Sequence, residues 1–404
     1  MSGRRAERLA ARRAERRRAA RRGAMVVAAS AVVVIGAVTG MLSALDDGRG
    51  SDEARPDVTS SPLLQPLPAV PTPLPPSPST TSASASPSAS SSASASEAGP
   101  SPKASKSASP KPRTEPASVR LYRHTDSQVL DWVRANRDDP RRPVIESRIA
   151  DRPAAVWFAD YTPSDITARV RAVTSAGAAK GGVPVVVPYA VPNRDCGGAS
   201  QGGAPDLGAY GGWIDKFAAG LGSGEVVVIL EPDAIAQSDC LSEGRRTARF
   251  AALARAGRVL KAANPKARVY FDAGHSDWNS PRQQAGLLRR AGAASAASSD
   301  GIFSNVSNFN RTGDEVAYVR RTLDALGGPA GLGAVIDTSR NGNGAPADGE
   351  WCDPAGRKLG QAPTLRTGQA RIDAYLWVKL PGESDGCRGA PGTFTPDYAY
   401  DLAR

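Results

Sequence analysis

Two histidines and four cysteines in 404 residues leave too few soft ligands for a zinc site, so no metal is expected. The first strand-to-helix turns contain neither G-x-G-x-x-G nor G-x-x-x-x-G-K-[ST], which counts against a nucleotide cofactor. No cofactor is expected. A D-x-[DN]-x-[DN]-G loop is also missing, which argues against calcium. The formal charge of +11 is concentrated rather than spread: residues 1–23 hold 10 Arg against Glu7 and Glu15, a net +8. The rest of the chain is only weakly basic, so no nucleic-acid groove is indicated.

What is present divides the chain into four parts. Residues 1–23 form a basic tail expected on the cytoplasmic side. Residues 24–45, "AMVVAASAVVVIGAVTGMLSAL", carry no charge and suffice to cross a hydrocarbon core of roughly 30 Å. The arginines before this run and the acids after it place the N-terminus inside. A retained signal-anchor is favoured over a cleaved signal peptide, whose apolar region is shorter, about 7 to 15 residues. Residues 46–118 are rich in Pro, Ser and Ala and have too little apolar surface to offset ordering, so a disordered linker is expected. Residues 119–404 form the folded domain, outside the membrane. Export agrees with disulfide use of the four cysteines. Of three connectivities, Cys196 with Cys240 and Cys352 with Cys387 is favoured, because each closes a loop-rich local segment.

In the folded part, short apolar runs alternate with amphipathic segments. Strands are expected at "AAVWFA", "VPVVVPYA", "EVVVIL", "ARVYFDA", "GIFSNV", "GAVID" and "AYLWVKL". Helices are expected at "SDITARVRAVTSAGAA", "RRTARFAALARAGRVLKAA", "SPRQQAGLLRRAGAAS" and "DEVAYVRRTLDALGG". The alternation predicts an α/β fold with a parallel sheet, either a seven-stranded barrel or an open doubly wound sheet. Acids follow the strand ends: Asp160, Asp195, Asp233, Asp272, Asp337 and Asp385. In a barrel those ends share one face. Aromatic residues lie among them, and aromatic faces beside carboxylates suit a sugar-binding cleft; glycosidic cleavage uses one protonated carboxyl and one carboxylate.

The motifs "YAVPNRDCGGASQGG", "ILEPDAIA", "YFDAGHSDW", "SNVSNFN", "EWCDP" and "LWVKLPGESDG" together resemble glycoside hydrolase family six, the inverting cellulases, and the resemblance spans the folded region in order. It implies a distorted seven-stranded parallel (β/α) barrel, TIM-like, and inverting hydrolysis of β-1,4-glucan. Asp233 matches the general acid. Asp195 matches a second acid whose nearby charge keeps Asp233 protonated. Ser200 matches a hydroxyl that holds the hydrolytic water, Tyr189 a tyrosine that crowds the sugar, and Asp385 the candidate base. Lys379 and Glu383 match residues that grip the sugar; Trp157, Trp278 and Trp351 match stacking platforms, with His275 as a hydroxyl partner. Asn310, at the end of "SNVSNFN", joins the expected substrate contacts, and Asp272 either joins them or serves as a structural hydrogen-bonding acid. The same two disulfides are implied. Trp213 and Trp377 read as core, Asp215 and Asp239 as caps or loop acids, and Arg194 as an ion-pair partner of Asp195. Compact connections favour an open, endo-acting cleft in a monomer. An exo-acting cellobiohydrolase and a glucan-binding or wall-remodelling surface protein are the alternatives.

Overall fold

The computed structural model describes residues 120–404. The basic tail, the apolar run at 24–45 and the linker at 46–118 lie outside the described residues. Among the described residues, no helix is long and apolar enough to cross a membrane.

Seven strands follow one another as expected: β1 Val156–Phe158, β2 Val185–Pro188, β3 Val226–Leu230, β4 Ala267–Asp272, β5 Gly301–Ser304, β6 Gly333–Asp337 and β7 Ile372–Leu376. All pair parallel in that order within one sheet. A side pair, Arg120–Leu121 with Gly182–Val183, adds two residues of parallel ladder. Helix α1, Gln128–Ala135, precedes the sheet; α2 Ile166–Ala179, α3 Leu207–Ala219, α4 Glu243–Ala263, α5 Pro281–Arg290 and α6 Thr312–Leu326 cross over between successive strands. Helix α7, Pro396–Ala403, ends the chain.

Both faces of the sheet are apolar, as a parallel sheet requires. In β3, Val226, Val228 and Leu230 pack outward with Tyr210, Trp213, Ile214 and Phe217 of α3. Val227 and Ile229 face inward with Val185, Val187, Tyr270, Phe303, Ala374 and Leu376. Strict alternation within one strand therefore feeds two cores. Trp213 and Trp377 are buried in the core, as read from the sequence.

The barrel expectation is met only in part. Among the described residues no ladder joins β1 to β7, so the sheet curls without closing. One backbone bond, Ala155 N to Trp377 O at 2.9 Å, and one side-chain bond, Trp157 Nε1 to Val378 O at 2.7 Å, bridge the seam. Val129 and Val133 of α1, Ile145, Ile149, Trp377, and Ala399 and Ala403 of α7 pack into a third core beside it. The ends of the domain thus seal what the ladder leaves open. The chain from β6 to β7 contains no crossover helix; Thr364 forms a bridge with Tyr375 there.

Candidate active site

The loops after the strands hold most of the matched residues, and buried carboxylates shape those loops. After β3 the chain turns sharply, with Glu231 at φ 50° and Asp233 at φ 68°. Left-handed backbone is costly for residues with a side chain, roughly 1–3 kcal/mol each, so the surroundings must impose it. They do so from both ends. Glu231 is fully buried and its carboxylate accepts from Ala190 N and Val191 N, at 2.9 Å each. Asp272, at the end of β4, accepts from Ile235 N at 3.1 Å and Ala236 N at 2.8 Å with Oδ2, and from Gly274 N at 2.8 Å with Oδ1. Asp233 is held between these clamps and remains partly exposed.

Of the two roles the sequence leaves open to Asp272, substrate contact and structural acceptor, its surroundings fit the second: it is 1 % exposed and both oxygens accept from backbone amides, which holds the loop carrying Asp233. Asp337, at the end of β6, does the same for three other segments. Its oxygens accept from Ser339 N at 2.9 Å, Lys379 N at 3.1 Å and Ser307 N at 3.2 Å. Burial pushes both carboxyls above the usual range, and the amide donors oppose that rise. Burial also pushes Glu231 up to about 7, again against its amide donors.

The loop after β2 is gripped at four consecutive residues. Glu231 takes the amides of Ala190 and Val191, and Arg249 of α4 donates to Pro192 O at 2.7 Å and Asn193 O at 3.0 Å. The chain then passes through left-handed Asn193, Asp195 and Cys196. Ser200 N donates to Asp195 Oδ2 at 2.9 Å, which folds the loop back on itself. Two glycines permit this path: a Cβ at Gly198 would lie 2.4 Å from Asp195 Oδ2, and one at Gly203 2.2 Å from Val191 O. Cys196 is bonded to Cys240 and Cys352 to Cys387, the connectivity favoured from the sequence. Arg194 donates to Ser200 O at 2.8 Å and to the carbonyls of Ala159 and Tyr189, and lies 4.6 Å over the Tyr189 ring. Its guanidinium thus ties three backbone carbonyls of the site loops together.

Tyr189 joins the two halves of the site. Burial raises its hydroxyl pKa, and the charges of Asp233 and Asp195 raise it further, so both acids lie within electrostatic reach of it. Trp157 meets its ring edge-on at 5.3 Å. On the other side, His275 is 6 % exposed and Trp278 sits 5.2 Å away, centroid to centroid. Asn310 Nδ2 contacts His275 Nδ1 at 2.9 Å and Asp277 N donates to the same nitrogen at 3.3 Å, which leaves the ring proton on Nε2. Asn310 is as buried as His275, and its amide nitrogen is engaged by His275 Nδ1 and by Ser276 Oγ at 3.1 Å, so it orients the imidazole.

The loop after β7 brings in a feature that the sequence reading missed. Asp385 accepts from Arg340 Nη1 at 2.8 Å and Nη2 at 3.1 Å, while Lys379 Nζ lies 3.4 Å from it. Arg340 is fully buried and stacks 4.5 Å from the Phe309 ring; its pKa is raised by the Asp385 charge against the opposing effect of burial. It follows β6 in "DTSRN", three residues after Asp337, and that strand-end acid was the available signal. Glu383 is pushed up to about 7 by burial, opposed by Lys379 and Arg340. Trp351 is the exposed large apolar side chain among the described residues, at 36 %. Asp160 is exposed at the rim.

Residues 117–398 match the model of glycosyl hydrolases family 6. The chain belongs to that family. Among family 6 relatives, it is 53 % identical over 287 residues to Endoglucanase 1 of Streptomyces sp. (strain KSM-9), covering 71 % of this chain and 78 % of that one. It is 50 % identical over 284 residues to Endoglucanase A of Thermobispora bispora, covering 70 % of this chain and 61 % of that one, under two thirds of the relative's length. A solved family 6 structure, the endoglucanase Cel6 of Mycobacterium tuberculosis bound to a thio-linked cellobioside, superposes with TM-score 0.65 at 39 % identity, covering 71 % of this chain and 97 % of that one.

Proposed function

We propose that this family 6 hydrolase cleaves internal β-1,4-glucosidic bonds with inversion, Asp233 acting as the general acid. The observation that carries the reading is the division of the rim acids. Glu231, Asp272 and Asp337 are buried and engaged by backbone amides, whereas Asp233 and Asp195 stay partly exposed and both lie within electrostatic reach of Tyr189. A carboxyl must reach the leaving oxygen to give it a proton, so the accessible members are the reactive ones. Asp233 donates that proton, the glycosidic bond breaks, and water attacks the anomeric carbon from the opposite face. The water's proton leaves toward Asp385, with the Ser200 hydroxyl and Asp195 on the path. Lys379 and Glu383 hold the sugar before the cleavage point, and Trp157, Trp278 and Trp351 stack against ring faces, with the His275 Nε2 proton available to a hydroxyl.

The relatives of endoglucanase type favour an open cleft. Fresh product from soluble β-1,4-glucan is then the α-anomer by NMR, with a fast fall in viscosity. Initial β-anomer refutes inversion, and release of almost only cellobiose without loss of viscosity refutes endo action. Two disulfides fit an oxidising, extracytoplasmic location. The run at 24–45 then serves as a signal-anchor and the 46–118 segment as a spacer that lets the domain meet a bulky polymer. Carbonate extraction of membranes from expressing cells checks this: protein recovered wholly in the soluble fraction overturns anchoring.

A further inference from the structure

The loop that carries Asp385 is addressed by a second buried acid, Asp353, from the irregular chain between β6 and β7. Asp353 is 4 % exposed, and its backbone is left-handed at φ 46°. Its Oδ1 accepts from Asp385 N at 2.7 Å. Its Oδ2 accepts from Ser384 Oγ at 2.6 Å, Arg388 N at 2.9 Å and Cys387 N at 3.0 Å. In return, Asp353 N donates to Asp385 Oδ2 at 3.2 Å. Burial alone would raise this carboxyl; the Ser384 hydroxyl and the three amides outweigh it and hold the group below the usual carboxylate range. The adjoining Cys352 is covalently tied to Cys387 in the same loop.

These two fastenings constrain different things. The disulfide fixes one point, Cys387; the peptide between Ser384 and Asp385 is held at its carbonyl by Gly392 N at 2.9 Å and Lys379 Nζ at 3.1 Å, and at its amide by Asp353. The carboxylate engages the amide of Asp385 itself and amides on its C-terminal side, so it sets the direction in which the Asp385 side chain leaves the backbone. We infer that Asp353 is a positioning residue for Asp385, orienting it onto Arg340 and toward the cleft. This rests on the reading of Asp385 as the group that receives the water's proton.

Asp353→Asn tests the inference in the full-length protein. Asparagine has the same size but one acceptor oxygen, so its amide must face either Asp385 N or the Cys387 and Arg388 amides, donor against donor. The expected result is a fall in kcat of about 10- to 100-fold per folded molecule, the scale of a small misplacement of a reacting group, with KM unchanged. Thiol titration shows the Cys352–Cys387 bond intact. The double replacement of Cys352 and Cys387 by Ser is expected to do the reverse, lowering Tm while kcat stays close to the parent. Asp385→Asn, run in parallel, separates the layers. If Asp385→Asn is inactive and Asp353→Asn turns over like the parent, the positioning role is overturned. If Asp385→Asn remains active, the underlying reading of Asp385 fails instead. Should Asp353→Asn not fold, Ser384→Ala removes one bond to Asp353 Oδ2; a smaller loss of kcat at constant KM supports the role, and an unchanged kcat overturns it.

Discussion

Arg340→Met is the perturbation that probes the site most sharply. The guanidinium is fully buried, bonds both oxygens of Asp385 at 2.8 and 3.1 Å, donates to Ser307 O at 2.6 Å, and lies over Phe309. Methionine keeps much of the stem's packing but removes the charge. Breaking a buried ion pair from one side costs about 3–5 kcal/mol, because the remaining charge loses its partner. Here Lys379, 3.4 Å from Asp385, offsets part of that loss, while the Ser307 carbonyl left without its donor adds about 1–3 kcal/mol. A net destabilisation of about 3–5 kcal/mol follows, a large share of a typical domain's stability. Urea unfolding of the parent, Arg340→Met, Asp385→Asn and the double variant forms a cycle. The double variant should be less destabilised than the summed singles by about 2 kcal/mol or more, since it leaves neither charge alone. A cost below about 1 kcal/mol for Arg340→Met, or no coupling in the cycle, refutes the reasoning.

Asp233→Ala should lower kcat on β-1,4-glucan by on the order of 10²- to 10⁴-fold while leaving oligosaccharide binding by calorimetry intact, and an activated aryl leaving group should recover part of the rate. Equal turnover of variant and parent would sink the assignment. Glu231 titrates at about 7 in the fold against 4.5 when unburied, so the folded state holds its proton more tightly. Its contribution is therefore favourable below pH 4.5 and is lost as pH rises through about 7, at most about 3 kcal/mol. Glu231→Gln should flatten the stability curve across that window in denaturant titrations, and an unchanged slope would count against burial as the cause. Replacing Cys196 and Cys240 by Ser opens a cross-link spanning 44 residues and should cost about 4 kcal/mol by the loop-entropy estimate, read as a lower urea midpoint.

The seven strands and four of the helices were legible because apolar alternation and three- and four-residue spacing are direct consequences of packing. Helix α3 was not. Gly208, Gly211 and Gly212 dilute its pattern, and what makes it a helix is tertiary: Asp206 caps Ala209 N at 2.8 Å, and Tyr210, Trp213, Ile214 and Phe217 bury one face. The open seam was equally hidden, since it depends on how β1, ending at Phe158, and β7, starting at Ile372, meet across a long stretch of sequence. At the site, the motif order marked the right loops, but residue type alone could not sort the acids. Asp233 and Asp272 both follow apolar strands in matching motifs. Only the fold shows that one is partly exposed while the other is spent on amides of the first one's loop.

That sorting suggests why so many acids gather at one rim when hydrolysis uses few. Asp195 and Asp233 both sit in left-handed backbone, a conformation each would leave if its loop were released. Side-chain clamps oppose that relaxation through bonds to consecutive backbone groups: Glu231 and Arg249 on the Asp195 loop, Glu231 and Asp272 at the two ends of the Asp233 loop. Glu231 belongs to both sets, being part of the Asp233 turn and the acceptor for the loop that leads to Asp195. Asp195 and Asp233 are therefore tied through one buried carboxylate, and their relative placement is a property of the scaffold rather than of either loop. A loss of Glu231 would disturb both together, whereas a loss of Asp272 would reach Asp233 first.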